Sequence, residues 1–340
     1  MRDDLKCVAA DCREQKLFGA DACWEHLRDK PAYLATIRDT ASKGASFSGG
    51  NFSKVLFRGF DLSRSDLSGA NLSRADMSEA TLFDANCRGA EFLGVNLTGA
   101  DLTGADLGQA DLTRANMSGA RLWHANLEQA NLIEADLRTA DLWNAKMFNV
   151  RLWRTDLRDA VSLTRFNFMR RQNRFFSICR INEKGMNSAV SAYRGLKQYF
   201  MSKGKYDDAS WASYKERNLE KRFLITKRDP MCVPSAVMDV FSGYGEKPYK
   251  VVISSLFMVF AYAFLYRAFD AVICDSSPSY LPNLSDCLYF SFVTFTTVGY
   301  GDFVPRAVSG LRMLAASEAF FGAFMMGLFI FTLARKYSAR

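Results

Sequence analysis

The chain has 340 residues, a formal net charge of +8, 49% hydrophobic and 24% charged residues, and a mean hydropathy of −0.10. That balance excludes a protein embedded in a bilayer throughout and leaves room for several domains. The only histidines are His26 and His124, and neither has a nucleophile or base partner in the sequence, so the chain reads as a non-enzyme.

Residues 1–40 carry Cys7-x4-Cys12-x10-Cys23-x2-His26. Three soft thiolates and one imidazole suit tetrahedral Zn2+. The segment is too short for a core of its own, so a metal would supply its fold. This spacing resembles a small Cys3His zinc knuckle, against the alternative of unrelated thiols. Nothing in it suggests an open catalytic position.

A five-residue repeat fills 41–162 and is clearest in Ala100-Asp101-Leu102-Thr103-Gly104-Ala105-Asp106-Leu107. Leu or Phe recurs at positions such as 62, 67, 72, 82, 92 and 97, with Met77, Cys87, Met117 and Met147 in register. Two residues earlier the position is usually Ala, as at Ala70, Ala75 and Ala80. A period of five cannot hold one face of a helix. The pattern resembles pentapeptide-repeat proteins, which implies a right-handed quadrilateral β-helix of roughly six coils, about 25–30 Å long at a strand spacing of ~4.8 Å.

The resemblance raises a DNA-mimic role for Asp101, Asp106 and Asp111. The favoured reading is that Asp and Asn before the central residue satisfy turns, because basic residues are scattered over the same surface. Trp123 and Trp143 lie twenty residues apart and should stack one coil apart; Ile133 and Trp153 should do the same on the opposite face. Such outward aromatics mark a contact surface, and the favoured occupant is the chain's own following helices.

Residues 163–230 read as a basic helical linker. Between 164 and 229 there are sixteen Lys/Arg against six Asp/Glu. Helices are expected over Ser188–Met201 and Tyr206–Phe223, broken at Gly204. Anionic lipid and plain solvation are competing accounts of the charge, and no motif that reads nucleic acid is present. An interfacial segment, 231–248, places Val237, Val240 and Phe241 at a headgroup boundary.

Residues 249–340 contain two apolar stretches, about 251–266 and 308–334, each long enough to cross a ~30 Å hydrocarbon core. Between them lies a short amphipathic segment, Ser285–Thr296, capped by Ser285 or Asp286, and then Thr297-Val298-Gly299-Tyr300-Gly301-Asp302. The two glycines permit positive φ, so successive carbonyls can turn toward one axis. Thr297–Gly301 resembles a potassium-channel selectivity filter, and its flanks resemble a two-transmembrane potassium channel with a re-entrant pore loop. That resemblance implies K+ as the permeant ion, a filter of Thr297, Val298, Gly299, Tyr300 and Gly301, and a homotetramer. Basic residues at the outer ends of the hairpin, including Lys247, Lys250 and Arg335, place both termini in the cytoplasm.

The pore segment departs from related channels in two places. Tyr289 and Phe290 stand where Trp is frequent, and Val293 stands where Glu is common, so Tyr289 is expected to bond Asp302 in that carboxylate's place. Glu318 lies within the second span, either as a functional carboxylate or as a neutral group bonded to the pore helix. Gly322 falls near the inner-helix hinge position, with Gly327 a second candidate. Cys274 and Cys287 share the outer connection, either bridged or as separate thiols.

The chain is therefore read as multi-domain, a pentapeptide β-helix joined to an α-helical two-transmembrane pore domain. The expected function is a K+-selective channel of the cell (inner) membrane, with an N-terminal half that contacts lipid or an unknown cytoplasmic protein or ligand. The alternative is a membrane-tethered interaction protein whose pore is vestigial.

Overall fold

The computed structural model describes residues 6–9, 12–44, 46–169, 183–275 and 280–337. The chain divides into two compact units, Met1–Ala212 and Ser213–Arg340, parting within the segment expected to be one linker.

In the first unit the five-residue period becomes a four-sided coil. Asn51 pairs in parallel with Asn71, Leu56 with Asp76, Asp61 with Thr81 and Asp66 with Asn86, and this twenty-residue spacing persists to Asp141 and Val161. Each side is thus five residues, and each coil hydrogen-bonds to the next. The central column, including Leu62, Leu72, Leu82 and Phe92, is wholly or almost wholly buried, as is the alanine column of Ala70, Ala80 and Ala90. The second column is mostly alanine, with Val55, Phe60, Ser65 and Val95 as buried exceptions. The residue two after each central one is left-handed, either glycine, as at Gly69 and Gly104, or residues such as Arg64 and Glu79.

The Asp and Asn side chains serve the turns. Asp101 accepts from the Thr103 amide at 3.0 Å, Asp106 from Gly108 at 2.9 Å and Asp111 from Thr113 at 3.1 Å. Asn126 then donates to Asp106 across one coil at 2.8 Å. The aspartates considered for DNA mimicry are therefore engaged in local backbone geometry.

Both ends of the coil stack are covered. At the N-terminal end, α1 (Lys30–Ser42) begins at Asp29, whose side chain accepts from the Ala32 amide, and Pro31 sits in its first turn. Tyr33 of α1 donates to the Phe18 carbonyl at 3.0 Å. Phe18, Phe47, Phe52 and Phe57 form a chain of rings with centroids 5.4–5.7 Å apart. The Asn51 amide donates to the Gln15 and Lys16 carbonyls.

At the other end, the buried Asn167 donates to the carbonyls of Leu142 and Ala145. Helices α2 (Glu183–Ser202) and α3 (Tyr206–Thr226) follow; α2 begins five residues before the expected Ser188, and α3 begins at the expected Tyr206. Leu196, Phe200, Ala209 and Ala212 join the core of the solenoid, and the Tyr199 hydroxyl donates to the Ala160 carbonyl at 2.8 Å. This corrects the expectation that these helices cover the outward tryptophans. Trp123 and Trp143 do meet one coil apart, edge-on with centroids 6.1 Å apart, but remain 37% and 53% exposed. The described helices pack on the end of the stack instead, where burial of their apolar residues is continuous with the solenoid core.

The second unit contains the rest of α3, α4 (Cys232–Ser242), α5 (Pro248–Ala268), β1 (Val272–Cys274), α6 (Leu284–Phe295), β2 (Phe303–Pro305) and α7 (Ser309–Tyr337). Helix α4 ends on Gly243, left-handed at φ 55°. Its Asp239 gathers Lys221 of α3, Lys250 of α5 at 3.0 Å and the Tyr214 hydroxyl at 3.2 Å. Burial works against that charge, but the two lysines hold the carboxyl below the usual carboxylate range. On α4, Val237 and Val240 are exposed, while Phe241 packs toward α5 and α7.

Two helices are long and apolar enough to cross a membrane, Pro248–Ala268 and Ser309–Ala334, with mean hydropathy 1.8 each. Their outward side chains are strongly apolar, including Phe257, Phe264, Phe320 and Ile330. A water-facing surface would not present such a continuous apolar face.

Candidate functional site

Helix α6 is placed by its ends and its buried face. Asn283 caps it, accepting from the Asp286 amide at 3.0 Å, while Asp286 accepts from the Asn283 amide. The cap is thus Asn283, two positions before the expected Ser285 and three before Asp286. Phe290, Val293 and Phe295 are buried against α5 and α7, and Phe290 meets Tyr266 edge-on at 5.0 Å.

The strip after α6 bonds back to it. Thr297 donates from its amide to the Thr294 carbonyl and Val298 to the Val293 carbonyl, both at 3.0 Å. The backbone is then left-handed at every second residue, with φ 58° at Thr297, 61° at Gly299 and 84° at Gly301. Alternation of this kind turns successive carbonyls to one side. Gly299 and Gly301 have no atom within 4 Å of a built Cβ, so it is conformation and not space that calls for glycine. Thr297, β-branched and left-handed, is a strained position that the sequence did not announce. Val298 and Tyr300 are 53% and 72% exposed in the single chain, so the strip has an open face.

Beyond the strip the chain is pinned by a ladder that sequence reasoning missed. Strand β2 pairs antiparallel with β1, Cys274 opposite Phe303 and Val272 opposite Pro305. The Asp275 amide donates to the Asp302 carbonyl at 3.0 Å and the Arg306 amide to the Ala271 carbonyl at 2.8 Å. The outer end of the strip is therefore tied to the end of α5. Tyr289 lies near Asp302, and its ring is edge-on to Phe303 at 6.0 Å. Cys274 and Cys287 are separate thiols.

Behind α6, Glu318 of α7 is fully buried. It accepts from the Tyr266 hydroxyl of α5 at 2.6 Å and contacts the Ser291 hydroxyl of α6. One turn on, Gly322 faces the end of α6. A Cβ there would lie 1.9 Å from the Phe295 carbonyl oxygen, whereas one at Gly327 would meet nothing within 4 Å. Helix α7 runs unbroken through both glycines. The structure thus gives Gly322 a packing duty beside the expected hinge duty.

At the other end of the chain, the ligand atoms of Cys7, Cys12, Cys23 and His26 all lie within 4.8 Å of one another. Cys12 and Cys23 sulfurs are 3.8 Å apart, and His26 Nδ1 is 3.2 Å from Cys23 Sγ and 3.7 Å from Cys7 Sγ. Zinc–sulfur bonds of ~2.3 Å at tetrahedral angles require sulfurs about 3.8 Å apart, so the donor set fits Zn2+. The backbone amide of Cys23, 3.3 Å from Cys7 Sγ, leads the causes that lower the Cys7 thiol to about 7, which favours the thiolate a metal needs. Lys54 of the first coil pairs with Glu14 and Glu25 around this cluster.

Residues 254–339 match the family described as ion channel, and residues 45–82, 80–119 and 115–154 match pentapeptide repeats. The chain therefore carries an ion-channel pore domain at its C-terminal end and pentapeptide repeats in its N-terminal half. It is 41% identical over 63 residues to two pore potassium channel a of Oryza sativa subsp. japonica, covering 18% of each chain. It is 37% identical over 92 residues to two pore potassium channel b of the same plant, covering 27% of this chain and 25% of that one. The chain thus spans a quarter or less of the length of these curated relatives. Among solved structures, a pentapeptide repeat protein of the Arabidopsis thaliana thylakoid lumen is 29% identical, covering 32% of this chain and 68% of that one, with a TM-score of 0.24. Rfr23, a pentapeptide repeat protein of the cyanobacterium Cyanothece 51142, is 24% identical over 38% of this chain and 93% of that one, with a TM-score of 0.26.

Proposed function

We propose that the protein is a K+-selective channel, with four copies each giving one strand to a common filter. The observation that carries this reading is the left-handed alternation at Thr297, Gly299 and Gly301, in a strip held between two helices of spanning length. Four such strips around one axis would offer rings of carbonyls from Thr297 to Tyr300 in place of an ion's water shell. Helix α6 supports the task, because the partial negative charge at its C-terminal end lies where the strip begins. Tyr289, Asp302 and Glu318 steady the strip from outside and behind, while Gly322 and Gly327 are the points where α7 would bend.

The charge pattern supports a multi-pass protein of the cell (inner) membrane with cytoplasmic termini. The N-terminal unit is a regulatory or interaction domain, and Cys7, Cys12, Cys23 and His26 hold one structural Zn2+ per chain. The basic residues around α3 and the foot of α5 face anionic lipid headgroups.

Flux from purified protein in liposomes tests the reading. Potassium should pass and sodium should not, and a G301A variant should lose the discrimination. Equal flux of both ions through correctly assembled protein, or none under any condition, would refute it.

A further inference from the structure

The Glu318 carboxyl sits where three helices meet, and the hydrogens around it can be counted. Glu318, Ser291 and Tyr266 are each 0% exposed. Glu318 Oε2 accepts from the Tyr266 hydroxyl at 2.6 Å. Glu318 Oε1 is in hydrogen-bond contact with Ser291 Oγ. Ser291 Oγ also lies 2.9 Å from the Val259 backbone oxygen of α5. A serine hydroxyl has one hydrogen to give, and a carbonyl oxygen has none. With an ionised Glu318, that single hydrogen would have to serve two acceptors, and one close oxygen pair would be left with nothing between its members.

A protonated Glu318 removes the shortfall. Its own O–H donates to Ser291 Oγ, Ser291 donates to Val259, and Tyr266 donates to Oε2, so every oxygen is satisfied. The charge argument agrees. Both groups on the carboxyl, Tyr266 and Ser291, are neutral. Other polar groups near this cluster are the Tyr262 hydroxyl of α5, joined to Ser317 of α7 at 3.0 Å, and the Cys287 thiol of α6. Arg267, Asp270 and Arg306 lie around a neighbouring pocket with Tyr266 and Cys287, but among the described residues no cation bonds the Glu318 carboxyl, and an unpaired carboxylate inside a spanning bundle is costly.

We infer that Glu318 is a neutral carboxylic acid that positions the filter, joining α5, α6 and α7 through the donor chain Tyr266 to Glu318 to Ser291 to Val259. Ser291 lies on the helix whose last turn is bonded by Thr297 and Val298, so the chain fixes the base on which the filter is built. This rests on the channel reading only for its consequence in flux. The protonation state stands apart from it.

Two measurements on the full-length protein separate the two claims. The first is infrared difference spectroscopy between wild type and Glu318→Gln at neutral pH. A protonated-carboxyl stretch lost in the variant is expected. A carboxylate band lost instead overturns the inference, whether or not the protein conducts. The second is potassium flux in liposomes. Glutamine donates and accepts at the same two places as a neutral acid, so Glu318→Gln should keep flux and selectivity within about twofold, whereas Glu318→Ala should lose about tenfold or more, because Tyr266 and Ser291 are left unpaired. Wild-type flux should be flat as pH falls below neutrality, since the chain is already fully protonated there. Glu318→Gln failing as badly as Glu318→Ala, or an acid titration that Glu318→Gln abolishes in this window, would overturn the assignment. If no variant conducts while the carboxyl band is present, the channel reading fails and the neutral acid stands.

Discussion

Replacing Gly322 with alanine gives a quantitative test of how α7 supports the pore. The added methyl would lie 1.9 Å from the Phe295 carbonyl oxygen, 2.7 Å from its carbon and 3.0 Å from its Cα. All three are backbone atoms at the end of α6, so no side-chain rotation relieves the clash. Restoring ordinary contact requires α6 and α7 to part by about 1.5 Å. Overpacking of this kind costs about 1–3 kcal/mol, and a rigid backbone neighbour puts it at the upper end. The displaced atom belongs to the residue just before Thr296, so the shift passes into the filter. Thermal melting of purified protein and potassium flux in liposomes should both fall in Gly322→Ala. Gly327→Ala is the control for melting, though not for flux, since α7 would bend there. Its methyl meets open space, and alanine favours a helix over glycine by up to about 1 kcal/mol, so stability should hold or rise. If Gly322→Ala conducts and melts like wild type, or if Gly327→Ala lowers the melting more, close packing at Gly322 is not what the glycine provides.

Metal analysis should find one zinc per chain, and Cys7→Ser should lower metal content and the melting of the N-terminal unit while sparing ion selectivity; a zinc content near zero after metal-replete expression refutes the site. Tyr199→Phe removes only the hydroxyl that reaches Ala160 and should cost about 1 kcal/mol in denaturant unfolding of the first unit; no change would mean the C-terminal cover does not depend on it. Asp239 titrates below its unfolded value, so its stabilisation is present near neutral pH and is lost as pH falls through and below the ordinary aspartate range. Asp239→Asn should therefore be less stable than wild type at pH 7, with the gap closing in acid; a gap independent of pH would assign the effect to packing.

Much of the architecture could be read from the chain because it rests on strict periods. Five-residue recurrence of Leu62, Leu67 and Leu72 cannot arise from a helix, and Gly299 and Gly301 sit at the alternate positions that need positive φ. What escaped reading depends on partners far apart in sequence or on elements too short to show a period. Tyr266 and Ser291 stand 52 and 27 residues from Glu318. Strands β1 and β2 have three residues each, too few for an alternation to register. The meeting of Trp123 and Trp143 followed from twenty-residue spacing, but which surface the next helices cover depends on contacts that no local pattern records.

The two covered ends of the coil stack bear on how the protein fails as well as how it holds. A β-helix cut across presents amides and carbonyls on four sides, in the register needed to receive another copy, and such an edge templates fibres. The segment that closes the N-terminal edge is the one that gathers Cys7, Cys12, Cys23 and His26. Chelation or oxidation of these thiols should therefore appear less as unfolding than as end-to-end polymerisation of otherwise intact solenoids, visible as concentration-dependent light scattering while the coil's far-ultraviolet signal persists.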